Sequence, residues 1–407
     1  MTDHSPTPLA QTAPVLPPQK QSRSQAPYGI ITRLTGVVIH VRANIKDFLQ
    51  LFLQDVPMMD VRAPVEFIKG AFPNSQNIPL LDDQQRQLIG TQYKEQGQDQ
   101  AIKLGNELAT PLIREQRLAA WKTFTETHPD GVLYCFRGGL RSKVTQQWLK
   151  ESGINYPFIE GGYKAMRTFL LEQLKVSLNT MPLVLVSGRT ASGKTHFLHK
   201  LSHHIDLEGR ANHRGSSFGA MVTPQPSQID FENSVSIDLL KQRHAHKQPV
   251  FMEDEGRLIG QLALPHEMLK AMGEQYPLVV LQTPMEERVV IAVQDYITDL
   301  YPHYQNTHGE QAHEIFSEKI LFNLSRIQKR LGGELHKTLH GQLSEALSAL
   351  AHGNEEGFAL PIGTLLEKYY DPMYDYQLSK RQGRILMQAP KEELLEWAEN
   401  YQPKKDQ

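Results

Sequence analysis

The stretch VLVSGRTASGKTHF, Val184 to Phe197, decides the fold of the second half of the chain. Four apolar or small residues run into Gly188, and Gly188, Gly193, Lys194 and Thr195 then complete the pattern G-x-x-x-x-G-K-T. An apolar strand before this pattern and a helical pattern after it are the context a phosphate-binding loop requires. The physics follows from the residue types. Glycines let the backbone curl so that several N–H groups, with those of Ser192 and Gly193 among them, point at one anion. The start of the following helix adds partial positive charge. Lys194 reaches a terminal phosphate and the Thr195 hydroxyl can hold Mg²⁺. A metal-side acid is then expected at the end of a neighbouring strand. PVFMEDEGRLIG offers Glu253, Asp254 and Glu255 there, with Glu253 or Asp254 the candidate. A solvated acidic turn with no metal is the competing reading, and no separate water-activating residue is evident. The loop therefore suits a diphosphate-bearing substrate as well as a nucleotide.

Working outward from it, further buried-strand patterns (PVFMEDE, YPLVVLQTP) and long helical patterns follow, including EERVVIAVQDYITDLY and FSEKILFNLSRIQKRLGG. They predict an α/β unit over 180–334 and a helical part over 335–407 that contains LPIGTLLEKYYDPMYDY. Upstream, PMMDVRAPVEF reads as a short buried strand and a helix start. GVLYC reads as another strand, and RSKVTQQWLKESG as a helix capped by Gly153. Strands alternating with helices over 45–177 predict a second parallel, helix-flanked sheet. Residues 1–27, rich in Pro, Gln, Ser and Thr, are expected to be a disordered tail.

Composition narrows the function. Forty-three Lys and Arg against 45 Asp and Glu leave a net charge of −2, so no global basic field points to nucleic acid; such contacts must come from local patches. One cysteine in 407 residues excludes an internal disulfide framework and fits a reducing compartment. No apolar run approaches membrane-spanning length and no signal-peptide pattern opens the chain. A cytoplasmic protein with no membrane partner is expected; the sequence is silent on oligomeric state.

That single cysteine lies in LYCFRGGLRS, where a strand ends and a helix begins. Gly138 and Gly139 allow the loop to curl around an anion, and Arg137 and Arg141 add full charge, a setting that favours a nucleophilic thiolate at Cys135. The bland alternative is a buried core cysteine. The C-x5-R-S spacing from Cys135 to Ser142 is also that of phosphatase loops, which leaves room for a phosphate-bearing donor. Elsewhere, His199 and His203 share a helical face but have no partners for zinc. EGRANHRGSSFG, Glu208 to Gly219, places Arg210 and Arg214 among glycines and serines, as an anion-contacting or merely solvated loop would. Lys319, Arg326, Lys329 and Arg330 lie on one helix and suit RNA phosphate or solvent alike. The tyrosines of EKYYDPMYDYQ suit packing, or a face for bases or a prenyl chain.

DVRAPVEFIKGAFPNSQNIPL followed by CFRGGLRS resembles a rhodanese-type sulfurtransferase domain. The resemblance places Asp60 and Arg62 at a supporting strand end, Glu66 on the next helix, and sulfur or selenium on the loop cysteine. With IEGGYKAMR as the bridge to the phosphate loop, and with GSSFG, EDEGRLIG and YYDPMYDY beyond it, the chain from about 45 to about 385 resembles the tRNA 2-selenouridine synthase family. That resemblance implies an enzyme, a transferase. It converts wobble 2-thiouridine in the tRNA anticodon loop to 2-selenouridine with selenophosphate, through an S-geranyl intermediate made from geranyl diphosphate. It implies Cys135, with Arg137 and Arg141, at the selenium step. It implies Gly188, Ser192, Gly193, Lys194 and Thr195 on phosphate. Arg210, Arg214 and Arg257 become candidates for substrate or RNA, and Thr195 and Asp254 for Mg. Three rival readings remain. One is a nucleotide-dependent kinase or ATPase with a regulatory thiol domain, which would turn over ATP without tRNA. Another is a phosphatase acting through Cys135. The third is an RNA-binding adaptor that leaves nucleosides unchanged.

Overall fold

A computed structural model describes residues 42–403 and, before them, the backbone of β1 (Ile31–Leu34) and β2 (Val37–His40). The Pro-rich tail of residues 1–27 lies outside the described residues. The chain divides into two units, 1–43 and 44–407. In the first, β1 and β2 form an antiparallel pair with Ile31 opposite His40.

The second unit contains two parallel sheets. The smaller has the order β4 (Ser75–Asn77), β3 (Met58–Asp60), β5 (Val132–Tyr134). Every residue of β3 and β5 is buried, which is why both read as unbroken apolar runs rather than alternating ones. Helices cover it. Asp83–Leu108 is broken at Gly97, whose φ is +83°. Pro111–Thr127 is started by Thr110, whose hydroxyl accepts from the Ile113 N–H. Trp121 of this helix is fully buried, meets Trp148 of the Leu140–Glu151 helix at 5.8 Å, and donates to the Ile78 carbonyl. Phe158 and Ile159 add single parallel bridges, to Leu133 and Ile45.

The larger sheet is built on β6 (Leu183–Ser187), β7 (His204–Ile205) and β8 (Val250–Glu253). The separate β9 (Leu258–Ile259) and β10 (Leu262–Ala263) pair only with each other. β11 (Leu278–Leu281) and β12 (Ile385–Ala389) complete the five strands in the order β12-β11-β6-β8-β7, all parallel. The fold is therefore α/β. The phosphate-loop sequence leaves the carboxyl end of central β6, where ligands of such sheets bind. Within the helical C-terminal part, RILMQAP adds a strand that returns to the sheet. Its burial alternates residue by residue, the pattern of a half-exposed edge strand. Five such residues between helices give a weak signal.

The helical part runs from Met285 to Ser379 around its own core, with Phe316, Leu324, Leu339 and Phe358 fully buried. Two π-turns interrupt it, Gln294–Thr298 and Leu366–Tyr370. The Gln228–Ala245 helix joins the two sheets. Phe231, Val235 and Leu239 pack with β6 and β8, while Ile237 and Leu240 pack with β3-side residues Met58 and Val132. Apolar residues buried on both faces leave it with no one-sided stripe. Two buried polar contacts fix the joint: Asp230 accepts from the Ala71 N–H at 2.6 Å, and Asn233 donates to the Ala71 carbonyl at 2.6 Å. Replacing Asn233 by Leu strands that carbonyl and the Arg167 donor. It is expected to cost about 1–3 kcal/mol in urea unfolding, and an unchanged midpoint would contradict this joint.

Candidate active site

A cavity of about 330 Å³ opens over the loop from Thr190 to Thr195. Gly193, at φ +80°, turns the chain into a helix of only five residues, Lys194–Leu198, so local N–H groups rather than a long dipole face the cavity. Ala191, also lining it, adopts φ +60°, a strained conformation for a residue with a side chain. Ser192 Oγ is buried and has no partner among the described residues, a donor left for a ligand. Lys194 Nζ lies 3.4 Å from the Gly188 carbonyl and 5.7 Å from the Tyr374 ring centre. Burial opposes its charge, but Tyr374, Glu255, Glu208 and Asp254 around it prevail and hold the ammonium above its usual range.

The acids are arranged differently from the sequence expectation. Thr195 donates to Glu208 Oε2 at 3.2 Å, and Glu208 is paired with Glu255. Burial, then the charge of Glu208, pushes Glu255 up to about 8; burial also raises Glu208. The two carboxyls share a proton near neutrality. Asp254 instead accepts two bonds of 2.7 Å from Arg381. Glu253 is fully buried, is driven strongly toward its neutral form by burial, and accepts from the Leu207 N–H at 2.8 Å, so it positions the segment carrying Glu208. Among the described residues no group of three or more His, Cys, Asp or Glu is placed to hold a metal. Mg²⁺ held together with a phosphate needs only one or two protein oxygens, and Thr195 with Glu208 supplies a hard-oxygen pair of that kind.

Of the three candidate arginines, Arg214 lines the cavity, bonded to Asp295 at 2.8 Å. Arg210 points elsewhere, clamped by Asp238 at 2.5 and 2.8 Å. Arg257 is exposed and outside the cavity lining. His213, beside Arg214, is held down to about 4 by burial and by Lys319 and Arg326, so it faces the cavity neutral.

The sequence reading missed what holds the loop. Arg288 is 1% exposed; its Nε donates to the Thr190 carbonyl at 3.0 Å and its other nitrogens to Asp371 at 2.9 and 2.6 Å. Arg189 meets Asp375 at 3.0 and 2.8 Å. YYDPMYDY is thus the partner of the phosphate loop. The available signal was its two acids beside tyrosines, facing a loop with its own arginine.

The cysteine loop is a second centre. Cys135 is 3% exposed and packs among Val61, Leu133, Leu149 and Phe158. The sulfur is therefore far more enclosed than an open anion cup implies. Arg141 stands within electrostatic reach of it and is tied to Glu66 at 2.6 and 3.1 Å. Burial opposes the Glu66 charge, but Arg141 outweighs it and holds that carboxyl below its usual value. Arg137 is exposed and lies against the Phe136 ring. Asp60 and Arg62 form a buried pair with bonds of 2.6 to 3.1 Å, and Arg62 covers the Tyr163 ring at 3.9 Å. They brace the loop from below. Gly162 clasps it from the side: at φ +57°, a Cβ there would sit 2.2 Å from the Cys135 carbonyl oxygen. Next to it, the Tyr163 N–H donates to that same oxygen at 2.9 Å.

The shared proton predicts a pH signature. Folded Glu255 keeps its proton to about pH 8, whereas an unfolded carboxyl releases it near 4.5. The folded state therefore binds the extra proton between these values, and this contribution to stability declines as pH rises from about 4.5 through about 8. Glu255→Gln should flatten the fall in melting temperature over that window; a variant with the wild-type slope would refute the shared proton.

A family model described as the tRNA 2-selenouridine synthase AAA domain matches residues 181–405. A Marinobacter nauticus protein named tRNA 2-selenouridine synthase is 50% identical over 359 residues, 88% of this chain and 98% of that protein. Proteins of the same name from Pseudomonas fluorescens and Pseudomonas putida are 47% and 49% identical. They cover 88% and 85% of this chain and 98% and 94% of their own lengths. Among the described residues no helix is long and apolar enough to cross a membrane. With half of the sequence shared over nearly the whole length of these relatives, the chain belongs to the tRNA 2-selenouridine synthase family.

Proposed function

We propose that this chain is a transferase that replaces the sulfur of wobble 2-thiouridine in a tRNA anticodon loop with selenium from selenophosphate, by way of an S-geranyl intermediate. The observation that carries the reading is a phosphate cavity, with Lys194 beneath it and Ser192 Oγ unpartnered, in a chain that also holds Cys135 beside Arg141.

Two steps divide between these centres. In the first, the thiouridine sulfur attacks C1 of geranyl diphosphate and the C–O bond breaks, with both electrons leaving on diphosphate. Lys194 and the loop N–H groups stabilise the charge on that leaving group. Magnesium, held by Thr195 and Glu208, would add Lewis-acid stabilisation there. S-alkylation converts a poor leaving group into a better one. In the second, selenium of selenophosphate attacks C2 of the uracil ring and geranyl thiol departs; water then releases phosphate. Cys135, with Arg141 within electrostatic reach, is the group assigned to this selenium step. Because Cys135 is 3% exposed, its surroundings must open for it to act. The uridine must leave its stack to reach either centre. Arg214, at the cavity, is the arginine placed for substrate phosphate; Arg210 and Arg257 are left to RNA contacts away from it. A tRNA substrate and a free thiol together support a cytoplasmic reaction.

Cys135→Ala should abolish selenation yet leave geranylation of a thiouridine anticodon loop measurable by nucleoside mass spectrometry. Loss of both steps in a folded, tRNA-binding variant would refute the division. Lys194→Ala should weaken geranyl diphosphate binding by about 1.5–3 kcal/mol, the worth of one charge-assisted contact; unchanged affinity in calorimetry rejects that role. Steady ATP turnover without tRNA would instead favour the kinase or ATPase reading.

A further inference from the structure

The helix Ala312–Leu331 has two faces of opposite character. Phe316, Ile320, Leu324 and Ile327 are buried in the core of the helical part. Lys319, Phe322, Arg326 and Lys329 follow one another at spacings of three, four and three, so they share the outer face, and Arg330 lies one turn beyond Arg326. From Lys319 to Leu331 the helix carries four cations and no acid. Arg214, Arg288 and Arg381, near the phosphate loop, each hold an aspartate; among the described residues none of these four cations has an ion pair. In their midst stands Phe322, 59% exposed. Of the 15 phenylalanines only Phe322 and Phe136, the residue after Cys135, are exposed. The stripe also reaches the phosphate cavity. Lys319 and Arg326 stand within electrostatic reach of His213, which lines that cavity. Met221, another lining residue, packs against the same helical core.

An exposed ring by itself is ordinary. A ring flanked on its own face by unpaired cations offers two attractions at once: the cations draw phosphate, and the ring presents a π-face on which any base can stack. A membrane surface does not fit, because a helix lying on lipid turns its apolar face outward and this one has buried it in the core. Double-stranded RNA has no use for the ring, since its bases are already stacked on one another. From Lys319 to Arg330 the stripe runs about 16 Å along the helix axis, room for a short run of single strand. We propose that this stripe is the platform for the unpaired RNA strand beside the target uridine, with Phe322 stacked on a neighbouring base and Lys319, Arg326, Lys329 and Arg330 on the phosphates. The inference rests on the reading of tRNA as the substrate and extends it to named residues of the helical part. A strand held there brings its extruded uridine to the cavity rim, at the end of the stripe marked by Lys319 and Arg326. The net charge of −2 is no obstacle, because the attraction is local.

The test uses the intact chain and the fluorescence anisotropy of a labelled anticodon stem-loop RNA carrying 2-thiouridine, over a series of salt concentrations. Phe322→Ala is expected to weaken binding about tenfold, the loss of one base stack, while Phe322→Tyr keeps it. Removing three cations together (Arg326→Gln, Lys329→Gln and Arg330→Gln) should flatten the slope of log affinity against log salt by about 2. Calorimetric binding of inorganic diphosphate should be unchanged in every variant, since none touches the phosphate loop. Wild-type affinity and salt slope in the folded Phe322→Ala and triple variants would overturn the platform while leaving the tRNA reading standing. Loss of diphosphate binding alongside RNA binding would overturn it too, because the defect would then be one of folding. So would displacement of the RNA by poly-L-glutamate with no effect of Phe322→Ala, which marks a surface for acidic peptide. A wild-type chain that binds neither the stem-loop nor whole tRNA would overturn both the inference and the reading beneath it.

Discussion

The buried ion pair of Arg288 and Asp371 sets the geometry on which the phosphate site depends. Taking two charges out of water costs several kcal/mol apiece, and only near-ideal geometry offsets it. The geometry here is close to that limit. Asp371 accepts from both terminal nitrogens of Arg288, and the remaining Nε–H goes to the Thr190 carbonyl. That last bond turns a distant helix into a clamp on the phosphate loop. The carbonyl is held back, and the loop can aim N–H groups at the cavity instead. Arg189 and Asp375 repeat the tie at the surface, where screening makes it weaker. The sheet and the helical part therefore cannot be treated as a binding module and an appendage; one completes the other.

The charge balance of the site follows from the same enclosure. Lys194 faces three carboxyl groups, those of Glu208, Glu255 and Asp254, in a half-enclosed space. Three negative charges beside a loop meant for phosphate would repel the ligand. Two features reduce them. Arg381 neutralises Asp254, and burial with mutual repulsion keeps one proton on the Glu208–Glu255 pair. Near neutral pH the local sum is then close to zero, which leaves the loop N–H groups and Lys194 able to favour an anion.

What the sequence revealed, and what it hid, divides along chain separation. The phosphate loop was legible because its glycines answer a local backbone demand, and the strands β6, β8 and β11 because buried parallel strands read as apolar runs. Glu66 entered through the rhodanese resemblance and Arg141 through the cysteine-loop motif, but the ion pair that joins them across 75 residues was not legible. Likewise, Arg288 and Asp371 are 83 residues apart, and nothing local marks Arg288 as the residue that ties Asp371 to Thr190. Glu208 faces Thr195 only because Glu253, at the end of β8, fixes the Leu207 N–H. Arg210 looked free among glycines, yet Asp238 from the joining helix claims it. Strand β12 was lost among helices because a half-exposed edge needs no apolar run.

The enclosure of Cys135 bears on why the chain uses two centres. A thiol that handled selenium in open solvent would be exposed to oxidation along its whole lifetime. Here hydrocarbon covers it, and Arg141, fixed by Glu66, supplies positive charge without needing to move. The backbone of the loop is pinned on one side by Gly162 and Tyr163, where no Cβ can be accommodated at the glycine. On the other side Phe136, Arg137 and Leu140 are exposed. The exposed pair Phe136 and Arg137, an aromatic ring and a cation, consists of the two side-chain types on which a nucleotide base stacks and by which its phosphate is neutralised.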